Sequence, residues 1–389
     1  MADHRSSGFL NHVWQARHLF GAVPLFAVST GALYPLIALE LSSIGYGNTL
    51  IGIMTSVWYL GAFLGTVFGG YIIGQFGYRR TFVLTAILAA FSVWALGISN
   101  FPGWWLSLRF LGGFGLGVYY LLMESWVSGL ATSSTRGRML AIYEALRIGA
   151  VALGPILLII ASTHTAFVLV GALFVIAIFP AMLAGSPTAE LNTPSWRDAL
   201  EIFVCSPCSV TLTLVAGFLS SSFYGLGAIY AKQLGFSSAE IALFVSFILL
   251  APALSQLPIG TLADLYGRAR IGVLIAGVAI VCSLTLALEL PSTFLGVTIM
   301  AAIVTGLSQP LYALGHGRLV DGGHELVAAT TAGLIGYNIG TFFGPLGAAL
   351  AMDYQGPTGL YTWICVTLTI GAIAALFAVS QTRMRCCPL

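Results

Sequence analysis

The chain has 389 residues, of which 58% are hydrophobic and only 7% are charged, and its formal net charge is +2. Ordinary soluble domains carry about 25% charged residues, so this composition excludes a soluble globular protein. The 46 glycines indicate close helix packing rather than disorder in such an apolar chain. Ten-residue segments of alternating polarity do not occur, which excludes an outer-membrane barrel.

Apolar stretches of about 18 or more residues recur along the whole sequence, and each can cross a hydrocarbon layer about 30 Å thick. The pattern predicts an all-α membrane protein with twelve transmembrane helices. These stretches lie at residues 17–39, 48–73, 81–99, 103–128, 139–161, 165–184, 208–231, 238–262, 271–289, 293–314, 327–352 and 358–380.

The positions of the basic residues predict the orientation. With a cytoplasmic N-terminus, only Lys232 lies outside, and the other basic residues beyond the helix interiors lie at the cytoplasmic side. The positive-inside rule then places both termini in the cytoplasm. The first twenty residues contain no compact basic region and no small-residue cleavage site, so we expect no removable signal peptide. The cytoplasmic arginines are Arg5, Arg17, Arg79, Arg80, Arg136, Arg138, Arg197, Arg268, Arg270, Arg318, Arg383 and Arg385.

An internal repeat organises the chain. A shift of 190 positions aligns the sequence with itself without a gap over five spans. This predicts two six-helix bundles in the same orientation, residues 1–185 and 208–389, related by an axis along the membrane normal. Equivalent pairs are Tyr34 and Tyr224, Gly45 and Gly235, Ile51 and Ile241, Ser56 and Ser246, Leu60 and Leu250, Gly70 and Gly260, Gly77 and Gly267, Arg80 and Arg270, and Gly154-Pro155 and Gly344-Pro345.

A cytoplasmic linker, residues 186–207, joins the two predicted bundles. Ser195 and Asp198 have capping-box spacing, which predicts a short interfacial helix with a structural role. Its apolar face is predicted to contain Trp196, Ala199, Leu200 and Phe203. Cys205 and Cys208 form a lone C-x-x-C in this region, which we interpret as free thiols rather than a metal site.

Four charged residues lie inside two consecutive spans: Arg109, Glu124, Glu144 and Arg147. A charge at the bilayer centre costs roughly 2.5–3.5 kcal/mol on insertion scales, so these side chains are expected to face a polar interior. Glu144 and Arg147 are three residues apart and within ion-pair reach. Either this pair lines a cavity, with Arg147 binding an anionic group and Glu144 taking up a proton, or it is an ion pair that satisfies itself. The repeat places apolar Leu334 and the neutral Tyr337 at the equivalent positions, which favours the cavity.

Several motifs resemble those of the major facilitator superfamily. GTLADLYGRAR (260–270) resembles its cytoplasmic loop signature, and GYIIGQFGYRR (70–80) is a degraded copy with Gly74 at the acidic position and Tyr78 at the first arginine. Arg109 with Gly113 and Gly115 resembles the fourth-helix motif, and GAVALGP (149–155) the fifth-helix motif. The resemblance is most detailed to the YcaD-like bacterial branch, through MESW (123–126), RGRMLAIY (136–143), QLPIGTLAD (256–264) and LYALGH (311–316).

The resemblance implies a fold of two pseudo-symmetric six-helix bundles and assigns roles to individual residues. It implies a cytoplasmic latch in which Asp264 pairs with Arg268 or Arg270, and Arg79 or Arg80 pairs with Glu124. The alternative is that these arginines only anchor loops in the cytoplasm. Arg109 is implicated in proton coupling or, equally, in anchoring helices. The helix-packing residues are Gly70, Gly77, Gly154, Pro155, Gly260, Gly267, Gly344 and Pro345.

Neutral and titratable polar residues supply further cavity candidates. His316 matches the motif of the branch and can titrate near neutral pH, although a packing histidine is a close alternative. Each of the others can equally be a helix-to-helix hydrogen bond. They are Tyr34, Tyr224, Gln256, Gln309 and Asn338.

No sequence signature of an enzyme, a nucleotide site, a cofactor, a metal site or a nucleic-acid interface is present. The chain is therefore expected to be a secondary transporter of a small organic molecule, coupled to protons, with efflux slightly favoured, and to act as a monomer in the lipid bilayer. The alternative is a transporter-like membrane sensor or assembly scaffold, supported by the degraded first loop motif. Glu124 and Glu144 favour an amphipathic cation as cargo, whereas Arg109 and Arg147 favour an organic anion.

Overall fold

A computed structural model describes residues 12–132, 135–187, 196–321 and 326–385, and these ranges are helical almost throughout. Short 3-10 turns follow or precede longer helices at Ala95–Ile98, Gly154–Ile156 and Gly356–Thr358. The α-helices are α1 (Arg17–Ser43), α2 (Asn48–Trp94), α3 (Pro102–Gly129), α4 (Arg136–Leu153), α5 (Leu157–Ile160), α6 (Thr163–Ile176), α7 (Ile178–Leu183), α8 (Trp196–Cys205), α9 (Pro207–Gln233), α10 (Ser238–Tyr266), α11 (Arg268–Ala287), α12 (Phe294–Gly306), α13 (Ser308–Asp321), α14 (Leu326–Gln355) and α15 (Gly359–Arg385).

Ten helical stretches in the described ranges are long and apolar enough to cross a membrane. Two of them, Asn48–Ile98 with 51 residues and Ala328–Ala374 with 47, are each long enough for two crossings at about 1.5 Å per residue. The first breaks at Gly77, and the second contains the turn Gly356–Thr358. The described helices therefore supply twelve crossings, which confirms the predicted all-α membrane fold.

The linker helix forms as α8, and its buried face differs in part from the prediction. Ala199 is fully buried, and Ile202 packs in an apolar cluster with Leu319, Ala328, Ala329 and Ala332. Phe203 packs against the same cluster. Leu200 is 52% exposed and lies outside the packed face. Ile202 packs against α14 instead. The predicted capping residue Ser195 and the side chain of Trp196 lie outside the described residues.

The repeat of 190 residues has the same backbone conformation at both of its turns. Gly45 and its equivalent Gly235 have φ values of 97° and 81°, and Gly77 and Gly267 have 74° and 92°. These values lie in the left-handed region, where a side chain is strained and glycine is not. The glycines that the alignment pairs are therefore required by the same turn in each half of the sequence.

The repeat also preserves one close helix crossing. A Cβ atom added at Gly154 would overlap the backbone of α1 around Gly31 and Ala32. A Cβ atom added at Gly344 would meet the carbonyl of Phe218 and the hydroxyl of Ser221 in α9, which are the repeat equivalents of Val28 and Gly31. Both crossings depend on the absence of a side chain, as expected for helices that pack closely in lipid.

The described residues fall into two compact units. Unit 1 contains the chain up to Glu40 and from Val57 to 187. Unit 2 contains Leu41–Ser56 and the chain from Trp196 onward. The end of α1 and the start of α2 thus belong to unit 2, while the remainder of both helices belongs to unit 1. In unit 2, α9 packs along α14 and is also flanked by α13 and α15.

Candidate functional site

Three charged residues of unit 1, Glu124 on α3 and Glu144 and Arg147 on α4, lie near one another. Tyr120 and Glu124 are four residues apart on α3, and Tyr143 and Arg147 are four apart on α4. Residues spaced by three or four positions share a helix face, so Glu144 lies on the same side as Arg147. α3 and α4 contact each other, and Arg147 of α4 lies over the ring of Tyr120 of α3, so these two faces meet in one polar site.

The ion pair that the spacing predicts is present within α4. Arg147 donates from Nε and from Nη2 to the same oxygen of Glu144, Oε2, at 3.0 and 2.6 Å. The Arg147 side chain is 24% exposed and that of Glu144 is 40% exposed. The pair is therefore neither fully buried nor free in water. This geometry is compatible with both sequence interpretations of the pair.

Aromatic side chains surround this ion pair. The guanidinium carbon of Arg147 lies 5.3 Å from the ring centroid of Tyr120, in cation–π range. Tyr119 stacks on Phe26 of α1, with ring centroids 3.6 Å apart and planes 4° from parallel. The hydroxyls of Tyr119 and Tyr143 are buried and have no hydrogen-bond partner among the described residues. Both hydroxyls are closed off from solvent in this structure, and a buried hydroxyl without a partner is costly.

Glu124 belongs to this site rather than to the loop arginines in the present structure. Its exposed side chain interacts electrostatically with Glu144 and Arg147. Arg79 instead donates from Nε and Nη2 to the carbonyl oxygen of Ala184, at 2.9 and 2.7 Å, and Arg80 is exposed. Among the described residues, Glu124 makes no ion pair with either arginine. The latch role of these three residues stays a prediction.

Arg109 lies apart from that cluster, in the apolar interior of unit 1. It is only 6% exposed, and its guanidinium carbon lies 4.1 Å from the ring centroid of Trp58. Tyr34 and Tyr59 interact with it electrostatically, and its Nε atom has no hydrogen-bond partner in the described part of the chain. The half-buried Tyr34 is thus placed beside Arg109, a pairing that the sequence did not predict.

His316 is held in an aromatic and polar environment in unit 2. Its Nε2 lies 3.1 Å from the hydroxyl oxygen of Thr330. The ring of Tyr312 stacks on the imidazole at 5.9 Å, and Tyr337 meets Tyr312 edge to face at 5.2 Å. Arg268 interacts with His316 electrostatically. These contacts place the histidine among aromatic rings and beside a cation, and its predicted cavity role stays a prediction.

The remaining neutral candidates lie on four helices of unit 2. The amide of Asn338 donates to the carbonyl oxygen of Leu334 in its own helix at 2.8 Å. Tyr224 and Gln309 are half-buried in α9 and α13, and Gln256 is exposed on α10. Their predicted contacts with cargo stay predictions.

Comparison with known proteins decides the family. The model of the Major Facilitator Superfamily matches this sequence at residues 19–313 and again at 209–385. The chain belongs to the major facilitator superfamily. It is a membrane transporter by family and not an enzyme. The relatives include the uncharacterized MFS-type transporter YcaD of Salmonella typhi, which is 27% identical over 367 residues, covering 92% of this chain and 94% of the relative.

Solved structures of other superfamily members share the fold. A bacterial homologue of the human lysosomal transporter Spinster superposes with a TM-score of 0.75 at 15% identity, covering 96% of this chain and 97% of that one. The nucleoside transporter NupG gives 0.78 at 12% identity, covering 94% and 99%. A D-xylose-proton symporter gives 0.67 at 16% identity, covering 93% and 96%. At these identities the likeness concerns the fold alone.

The loop signature of the superfamily lies between α10 and α11 in unit 2. Asp264 and Arg270 are exposed, and Asp264 makes no ion pair with a residue in the described ranges. Gly317 lies on α13, and the guanidinium of the half-buried Arg268 occupies the space that a Cβ atom would take at this glycine. Gly317 therefore permits the approach of Arg268 to α13. The latch between Asp264 and these arginines stays a prediction.

A polar cluster in unit 2 was missed by the sequence interpretation. The amide N–H and the hydroxyl of Thr49, at the start of α2, both donate to Oδ2 of Asp353, and the amide bond measures 3.1 Å. Lys232 donates to the hydroxyl of Ser42 at 2.9 Å, and Gln233 donates to the amide oxygen of Asn48 at 3.3 Å. These partners are as far as 304 residues apart in the chain, so no local spacing could reveal them.

Replacing Asp353 with alanine is expected to loosen the start of α2. The carboxylate caps the first turn of that helix and favours its positive dipole end, and loss of such a cap costs about 1 kcal/mol. Amide hydrogen exchange at residues 49–51 should become roughly five- to tenfold faster, because local opening becomes easier. Asp264→Ala, which removes another exposed aspartate of unit 2, should leave exchange at these amides unchanged. Equal exchange in wild type and Asp353→Ala would exclude the cap.

Proposed function

We propose that this superfamily member is a secondary active transporter that moves a small organic molecule across the bacterial cytoplasmic membrane by alternating access. Transport is coupled to protons and runs in the direction of efflux, and both termini lie in the cytoplasm. The protein works as a monomer, without a cofactor. The site on α3 and α4 is exposed in turn to the two sides of the membrane.

The observation that supports the proposal is the set of charges within membrane-spanning helices. Glu124, Glu144 and Arg147 lie together, and the ion-paired side chains keep 24% and 40% of their surface exposed. Charged groups inside a span are costly in lipid, and they mark substrate or proton pathways when they face an interior. Three tyrosines supply aromatic surface and hydroxyl groups beside these charges. A site with these groups can bind a small molecule and exchange a proton.

Arg109 and the loop arginines support the conformational changes of the proposed transport cycle. Arg109 is buried on Trp58 and forms no ion pair with a carboxylate among the described residues, which suits a residue whose interactions change during a cycle. The loop arginines are placed at helix ends, where Arg79 already binds a carbonyl group. Contacts of this kind can form in one state of a carrier and break in the other.

Proton movement in proteoliposomes tests the proposal. Purified protein is reconstituted with a pH-sensitive dye inside, and metabolites, amphipathic amines and organic carboxylates are added one at a time. At least one compound should change the internal pH with wild-type protein, and it should do so at least about tenfold more slowly with Arg147→Ala or Glu144→Gln. It should also give counterflow. If no compound moves protons or shows counterflow, the sensor or scaffold alternative replaces this proposal.

A further inference from the structure

An apolar groove opens on unit 1 where the two halves of α2 meet α3. It has a volume of about 230 Å³. Phe76 and Leu84 lie at its mouth and are 50% and 47% exposed, whereas Val118 of α3 lies at its floor and is 1% exposed. The groove is therefore open on the outside of the helices and closed towards the interior of unit 1.

The open side of the groove faces lipid. Leu84, Ile87 and Phe91 follow one another at spacings of three and four residues on α2, and each is about half exposed. Residues with this spacing share one face of a helix. An exposed apolar face on a helix that spans a membrane contacts lipid tails rather than water. The groove is thus accessible from the hydrocarbon layer.

The walls of the groove offer no free polar group to an occupant. The hydroxyl of Thr81 donates to the carbonyl oxygen of Gly77 at 2.8 Å, and that of Thr85 donates to the carbonyl oxygen of Phe82 at 2.9 Å. The groove follows α2 from Thr81 to Leu88, which is about 10 Å at 1.5 Å per residue. A helix of a partner protein is about 10–12 Å across and cannot enter this volume, whereas a single acyl chain can lie along it.

Positive charge lies at the end of the groove beside the turn at Gly77. Arg80 directly precedes Thr81, so their Cα atoms are about 3.8 Å apart. Arg79 and Arg80 are exposed, and neither forms an ion pair with a carboxylate in the described ranges. The bonds of Arg79 go to the carbonyl oxygen of Ala184, which carries no net charge. Both guanidinium charges are therefore uncompensated in this part of the structure.

The neighbouring sequence supplies no acid to this turn. No aspartate or glutamate occurs between Glu40 and Glu124. The loop signature that this segment resembles has an acidic residue where this chain has Gly74. Basic residues at the membrane surface attract anionic lipids. The turn is thus suited to an anionic group from the membrane.

We propose that the groove binds an anionic phospholipid, with one acyl chain along α2 and the phosphate at Arg80 and Arg79. The chain fills the groove and makes packing contacts that an empty groove lacks. Lipid tails are as apolar as the groove, so burial of the chain does not distinguish one lipid from another. The charge of the headgroup does, because a zwitterionic lipid fits the same space without net charge. This binding does not depend on the proposed transport function.

Photolabelling locates the lipid and tests its charge. The full-length protein is reconstituted in phosphatidylcholine vesicles that contain a trace of phosphatidylglycerol or phosphatidylcholine with a diazirine in one acyl chain. Mass spectrometry maps the covalent adducts. We expect adducts within residues 72–88 and 114–118, at least about fivefold more from phosphatidylglycerol. Equal labelling by the two lipids would identify a nonselective lipid layer and overturn the proposal.

Two matched pairs of variants separate headgroup charge from groove shape. Arg80→Gln should lower labelling by phosphatidylglycerol about fivefold and leave labelling by phosphatidylcholine unchanged. Arg136→Gln removes an exposed arginine at the start of α4 and should change neither. Leu88→Trp fills the groove and should lower labelling by both lipids at least about fivefold. Ile87→Trp places the same side chain on the lipid-facing side and should leave both unchanged.

Thermal unfolding in detergent shows which variants are folded. Arg80→Gln changes an exposed side chain and keeps the test valid even if Leu88→Trp does not fold. Undiminished labelling of the groove in Arg80→Gln, or in a folded Leu88→Trp, would overturn the proposal. Efficient cross-linking of two copies through Leu84→Cys, in a chain without its native cysteines, would assign the groove to a second copy and overturn it as well.

Discussion

Arg109→Met is expected to leave the protein at least as stable as wild type and to abolish transport. The guanidinium is 6% exposed, lies 4.1 Å from the Trp58 ring centroid, and has an Nε atom without a hydrogen-bond partner among the described residues. Replacing buried charges by apolar side chains of similar volume is often neutral or stabilising, by about 1–4 kcal/mol. Transport should fall about a hundredfold, equivalent to about 2.7 kcal/mol in activation free energy.

Thermal unfolding in detergent and proton movement in proteoliposomes measure the two halves of this prediction. Leu108→Met is the matched control, since Leu108 is a buried neighbour on the same helix and should tolerate the change in both assays. Trp58→Phe keeps an aromatic face and should retain part of the transport rate. A loss of several kcal/mol of stability in Arg109→Met would instead identify the arginine as a helix-packing anchor.

Gly154→Val and Gly344→Val are expected to destabilise their units by about 3 kcal/mol or more. Overpacking a well-packed site costs about 1–3 kcal/mol, and at both positions the neighbours include backbone atoms, which cannot rotate away. At Gly154 the new Cβ would overlap α1 around Gly31 and Ala32. At Gly344 it would meet Phe218 and Ser221 of α9. Because these contacts are repeat equivalents, the two variants should lose similar amounts of stability.

Two other glycines give matched controls for this pair. Gly149 on α4 and Gly260 on α10 have no atom within 4 Å of an added Cβ. Valine at either position should change the free energy of unfolding by less than about 1 kcal/mol. Thermal unfolding of the four variants in the same detergent compares them directly. An equal loss of stability in all four variants would show that close contact at the helix crossings does not determine the effect of the substitution.

The sequence was sufficient for the features that depend on local pattern. Hydropathy located the spans because a bilayer requires long apolar helices. The constant offset of 190 located the paired glycines at 45 and 235 and at 77 and 267, since each turn requires the same positive φ. The ion pair between Glu144 and Arg147 followed from a spacing of three residues within one helix.

Contacts between helices were less accessible from the sequence. The electrostatic interaction of Glu124 with Glu144 and Arg147 did not follow from the sequence, because α3 packs on α4 and crossing geometry is not encoded in spacing. The latch between Glu124 and the loop arginines stays a prediction. The link between Thr49 and Asp353 joins the start of α2 to the end of α14. Tyr120 could have been found, since it precedes Glu124 by four residues on the same helix face.

Site-directed cysteine labelling tests most directly whether one site opens to both sides of the membrane. Tyr120→Cys is introduced into a chain whose native cysteines are replaced, and a membrane-impermeant maleimide is applied to right-side-out and to inside-out vesicles. Tyr120 lies beside Arg147 in the α3 and α4 site, so alternating access predicts labelling from both sides. Labelling from one side only, unchanged by a pH gradient, would contradict the proposed transport cycle.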